Sequence, residues 1–108
     1  MTDKIVVFST AGSQEEANRI ARQLVERRLA ACVTVVAGAS SIYRWQGAIE
    51  EAGEWLLVIK SSRGLFDRLQ AGIRKLHSYQ TPEVIAVPIV DGAEEYLQWM
   101  DRELAGEE

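Results

Sequence analysis

The chain has 108 residues, 47% of them hydrophobic and 26% charged, a composition that excludes a disordered chain and allows one domain spanning residues 1–108. Twelve Lys and Arg against sixteen Asp and Glu give a net charge of −4. The excess is local: from Asp91 onward seven acids accompany Arg102 alone, so no basic face is offered to a phosphate backbone and no nucleic acid is expected as a partner.

Ile5-Val6-Val7-Phe8 is β-branched and aromatic and stops before Ala11-Gly12, the pattern of a short buried strand. Ser13-Gln14-Glu15-Glu16 then fits a capping box, in which the Ser13 hydroxyl and the Glu16 carboxylate are each expected to accept a backbone N–H at a helix start. Ala17, Ile20, Ala21, Leu24 and Val25 recur behind it at helical spacing. Residues 31–60 read as a long hairpin, with a bulge or bend at Gly38, alternation of Ile42/Arg44/Gln46 with Tyr43/Trp45, and, after Gly47 and Gly53, a returning run Trp55–Lys60. Arms longer than the usual ~5–6 residues must overhang the rest of the domain.

Leu65, Phe66, Leu69, Ile73 and Leu76 form a second helical stripe ending near His77. Pro82 biases Thr81 to extended geometry, and Glu83–Val90 is expected to be a strand that Pro88 confines to an edge. Leu97, Met100 and Leu104, widened by Tyr96 and Trp99, give a third helix. The order βαββαβα predicts an α+β fold, a ferredoxin-like βαββαβ sandwich with an additional C-terminal helix.

The single cysteine, Cys32, excludes an intrachain disulfide and a CxxC motif. The apolar run Ile5–Phe8 is shorter than the roughly 7–15 residues of a signal-peptide core, and nothing approaches the ~18 of a membrane span. A cytoplasmic chain with no membrane partner is expected.

Phosphate-loop, HExxH and Gly-x-Ser-x-Gly signatures are missing, so the chain is expected not to be an enzyme. Cys32 lies in the apolar stretch Ala30-Ala31-Cys32-Val33 and reads as a small buried hydrophobe. His77, the one histidine, stands where a helix ends and a polar loop begins, which suits either a helix-end cap or a metal ligand. Lys60 closes an apolar run on the face of Leu56 and Val58, as a snorkelling lysine does. Tyr43 and Trp45, on one face of the overhanging strand, need a covering surface, and contact with another subunit supplies one.

Leu29-Ala30-Ala31-Cys32-Val33, Ser41-Ile42-Tyr43-Arg44-Trp45-Gln46-Gly47, the His77–Glu83 segment with Tyr79, Pro82 and Glu83, and Tyr96-Leu97-Gln98-Trp99 resemble the CutA divalent-cation-tolerance family in order and spacing. The resemblance covers nearly the whole chain. It implies a ferredoxin-like subunit in a homotrimer whose long hairpins cross onto neighbours. It also implies a role in the response to metal ions, with copper or another divalent cation as ligand and no cofactor required. Ser78 stands where the family usually has proline and Ser9 where some members carry cysteine, which leaves His77 the one matching donor of a soft copper site. The alternative is a regulatory trimer whose intersubunit cleft, lined by Tyr43, Trp45, Lys60, Tyr79 and Glu83, takes a small anionic or amphipathic effector. An enzyme using Tyr79, Lys60 or Glu83 in proton transfer ranks behind both.

Overall fold

The structure, a computed structural model, describes residues 2–106. In chain order its elements are β1 (Lys4–Ala11), α1 (Gln14–Glu26), β2 (Cys32–Trp45), β3 (Ala48–Ser62), a 3-10 turn at Arg63–Leu65 leading into α2 (Phe66–Leu76), β4 (Ile85–Pro88) and α3 (Glu94–Ala105). The strands form one antiparallel sheet in the order β2-β3-β1-β4. This is the ferredoxin-like arrangement expected from the sequence, with α3 as the added helix.

Period-two alternation assigns the faces. Ile5, Val7 and Ala11 of β1 and Leu57 and Ile59 of β3 are at most 4% exposed, and they pack with Ala17, Ile20 and Leu24 of α1 and Leu69 and Ile73 of α2. Complete burial of a Val, Leu or Ile side chain is worth ~1.5–3 kcal/mol, so this layer holds the fold. Ser9 faces the same core at 0% exposure, with its hydroxyl unpaired. The opposite face carries Val6, Phe8 and Thr10 beside Lys60, Val58 and Leu56. There Lys4 sits 2.6 Å from Asp101 and fastens α3, whose Met100 is wholly buried outside the main cluster.

The hairpin overhangs as expected, and the molecule measures 46 × 25 × 24 Å. Gln46 and Gly47 turn the chain with φ of 49° and 85°, two positive values that match the right-handed twist of the arms. Below the turn Val36 pairs with Leu56 and Ala39 with Glu54, so Ala37 and Gly38 oppose Trp55 alone, with Gly38 at φ 85°. This bulge exchanges odd for even positions on the β2 faces. Without it Ile42 and Arg44 would share the face of Glu54; with it Tyr43 and Trp45 do.

Three expectations are corrected. The fourth strand covers Ile85–Pro88 and not Glu83–Val90, because it pairs only with Ile5–Phe8 of β1, although it does form an edge as Pro88 required. Cys32 is half-buried, since it begins the edge strand β2 on the face away from the α1/α2 core. The capping box is half made: the Ser13 hydroxyl accepts from the Glu16 amide at 3.1 Å, but the Glu16 carboxylate is engaged elsewhere.

Candidate ligand cleft

The base of the overhang meets the loop that follows α2, and the loop is tied down at three points. Glu16, 6% exposed, accepts hydrogen bonds from the Ser78 amide at 2.7 Å and the Ser78 hydroxyl at 3.0 Å. Burial alone would raise the Glu16 carboxyl, but the bonds from Ser78 outweigh it and hold the group below the usual carboxylate range.

His77 makes the second tie. Its Nε2 lies 2.6 Å from the Thr10 carbonyl and its Nδ1 accepts from the Tyr79 amide at 3.0 Å. A carbonyl accepts and an amide donates, so this network selects the neutral tautomer with the proton on Nε2. The side chain caps no carbonyl of α2. It turns instead to β1, which corrects the helix-cap reading.

Tyr79 makes the third tie. Its hydroxyl donates to Glu54 Oε2 at 2.7 Å, and the ring stacks obliquely on His77 with centroids 4.6 Å apart. Burial first, and the Glu54 carboxylate second, push the phenol well above its ordinary value, so it stays a donor. The ring passes so close to β1 that a Cβ at Gly12 would lie 3.0 Å from the Tyr79 hydroxyl. Glycine is required at position 12 by this approach and not by its backbone angles.

Together these groups line a cleft of about 600 Å³, walled by Tyr43, Trp45 and Tyr79 and containing the carboxylates of Glu54 and Glu83 beside Thr10 and Ser41. Four of the expected cleft residues, Tyr43, Trp45, Tyr79 and Glu83, therefore meet. Lys60 does not. It pairs with Val6 and Cys32, six residues along β3 from Glu54, about 20 Å at strand rise. Sequence reasoning missed Glu54, Gly12 and Glu16. A carboxylate between Gly53 and Trp55, at the edge of an apolar run, was the available signal for the first.

The donor set does not suit a tight soft-metal site. Both His77 nitrogens are engaged, and Cys32 lies two strands across from β1 and four residues, about 13 Å, along the strand direction from Thr10. Among the described residues no three His, Cys, Asp or Glu side chains gather to hold a metal ion, and zinc and copper normally take several nitrogen or sulfur donors.

The sequence model described as CutA1 divalent ion tolerance protein matches residues 5–103. The divalent-cation tolerance protein CutA of Thermus thermophilus is 48% identical over 95 residues, 88% of this chain and 92% of that protein. Among solved structures, CutA of Xylella fastidiosa superposes with a TM-score of 0.93 at 43% identity, covering 95% of this chain and 99% of that one. The protein described as the periplasmic divalent cation tolerance protein CutA of Archaeoglobus fulgidus superposes at 0.91 with 38% identity, over 94% and 98% of the two chains.

Proposed function

The chain belongs to the CutA1 divalent ion tolerance family, and from that premise we propose that it serves tolerance of divalent cations as a cytoplasmic homotrimer whose ligand site is the cleft at the hairpin base. The observation that carries the reading is the cleft itself: two carboxylates, Glu54 and Glu83, and no cationic side chain among its lining residues. A divalent cation would be held there by oxygen donors and weakly, because His77 must give up a hydrogen bond before it can ligate. The role is binding and response, not catalysis.

Assembly is supported by apolar side chains on both faces of the overhang. Ile42 and Ile49 are 68% and 65% exposed on one face, and Tyr43 and Trp45 are each 44% exposed on the other. Ile85 and Val87 of edge strand β4 are uncovered as well, on the face turned away from α1 and α2. A second copy of the chain, with the same apolar surfaces, is the partner that covers Ile42, Ile49, Ile85 and Val87, leaving the cleft side of Tyr43 and Trp45 open to a ligand.

Calorimetric titration with copper tests the metal reading on the wild type, His77→Ala and the double variant Glu54→Gln/Glu83→Gln. The double variant should lose binding and His77→Ala should keep it. Loss in His77→Ala alone would return the site to the imidazole.

One observation favours the regulatory reading beside this one: a 600 Å³ space with aromatic walls is far larger than a metal ion needs and suits a small organic molecule.

A further inference from the structure

We infer that the cleft, beside a weakly held divalent cation, takes a small organic cation, an amine or substituted ammonium carried on an apolar or aromatic body. The inference rests on the reading of the cleft as a ligand site and adds the chemical class.

Charge comes first. An anionic effector requires a cation in the wall, and within one chain Lys60, the one lysine expected there, lies about 20 Å away along β3. Arg44 of the hairpin belongs to the opposite face, because the bulge at Gly38 turned Tyr43 and Trp45 inward in its place. What remains on this face is acidic: Glu54 and Glu83 in the cleft, and Glu50 directly across from Tyr43. An anion entering here would be repelled by carboxylates in a partly desolvated space.

Glu54 supplies the specific contact. It is 5% exposed, yet only one of its oxygens is used, Oε2 by the Tyr79 hydroxyl. Oε1 has no hydrogen-bond partner among the described residues, and Glu54 lines the cleft. A carboxylate this buried, braced on one oxygen and open on the other, is set to accept one further charged N–H.

The aromatic walls agree. The faces of Tyr43 and Trp45 are half-open, and an ammonium group is attracted to such faces while its hydrocarbon body packs against them. A hydrated metal ion gains less from three aromatic rings. The pairing of a buried carboxylate with aromatic walls therefore favours an organic cation over a hydrated metal ion, which the same carboxylates would hold more weakly.

The test uses the full chain and three probes that share a phenyl ring: phenethylamine, 2-phenylethanol and phenylacetate, carrying positive, zero and negative charge. Amide and indole resonances of Tyr43, Trp45, Glu54 and Tyr79 report binding in the cleft, and calorimetry reports affinity. Phenethylamine should shift those resonances and bind at least about tenfold more tightly than phenylacetate, the effect of one charged hydrogen bond. Glu54→Gln should weaken phenethylamine by about tenfold or more, while its unliganded melting temperature falls by no more than roughly 4 °C because glutamine still accepts from Tyr79. Glu83→Gln, at an exposed position, serves as a second charge variant should Glu54→Gln fold poorly. Phenylacetate or phenylethanol binding as tightly as the amine, or charge variants that bind it unchanged, would overturn the cationic class and leave the cleft standing. No shift at those four residues with any probe at millimolar concentration would overturn both.

Discussion

Removing one oxygen atom, in Tyr79→Phe, tests the brace at the centre of the cleft. The lost contact is a 2.7 Å phenol-to-carboxylate hydrogen bond onto a glutamate that is 5% exposed. Hydrogen bonds to charged groups contribute ~1.5–3 kcal/mol, and the partial exposure of Tyr79 places this one toward the lower end, ~1–2 kcal/mol per chain. In a domain of this size each kilocalorie moves the melting temperature by roughly 4 °C, so a fall of roughly 4–8 °C is expected. Scanning calorimetry should be run at fixed chain concentration, because association and unfolding are coupled in an obligate oligomer. Glu54→Gln provides the second edge of a double-mutant cycle, in which Tyr79→Phe should be less damaging by about 1 kcal/mol, since the partner is then neutral. A Tyr79→Phe protein melting within about 1 °C of wild type would show that water replaces the phenol freely and that Glu54 is not held.

Gly12→Ala should push the Tyr79 ring off Glu54, since the added methyl would stand 3.0 Å from the hydroxyl; a loss of about 1–3 kcal/mol is expected in chemical denaturation, much reduced in a Tyr79→Phe background. Because Glu16 is held below its unfolded value of 4.5, its stabilisation is present above that pH and lost as the pH falls through the lower folded value. The stability deficit of Glu16→Gln should accordingly be largest at neutral pH and close on acidification, as read from melting temperatures between pH 7 and pH 3. Tyr79 has the opposite sense: its raised folded value makes the protonated phenol stabilising below pH 10.0, with that contribution lost at higher pH, and alkaline difference spectra should show a tyrosine absent from Tyr79→Phe that titrates above the ordinary range. Ile42→Lys with Ile49→Lys, which adds charge to the outer face of the overhang, should dissociate the assembly in light scattering without touching the face that bears Tyr43 and Trp45.

Much of the fold could be read in advance because hydrophobic period and turn chemistry act locally. The stripe Ala17/Ile20/Leu24, the edge position of Pro88 and the overlong arms of the hairpin all needed only neighbouring residues. The cleft depended on separations the local pattern does not carry. Ser13 capped its helix as its spacing required, whereas Glu16 found Ser78, 62 residues away, a stronger partner than the local amide. His77 looked like a helix cap until packing brought the Thr10 carbonyl to its ring. The separation of Lys60 from Trp45 within one chain needed the observed pairing, which places Lys60 opposite Cys32. Gly38 marked a bulge in the sequence, but which face Tyr43 and Trp45 would join followed only once the register on both sides of it was known.

The central claim, a homotrimer with a cation-accepting cleft, meets its most direct test in native mass spectrometry of the wild-type protein beside Glu54→Gln, sprayed with and without phenethylamine. The expected spectrum shows the mass of three chains in both proteins, with up to three amine adducts on the wild type and markedly fewer on the variant. A monomeric mass at micromolar concentration, or equal adducts on both proteins, would contradict it.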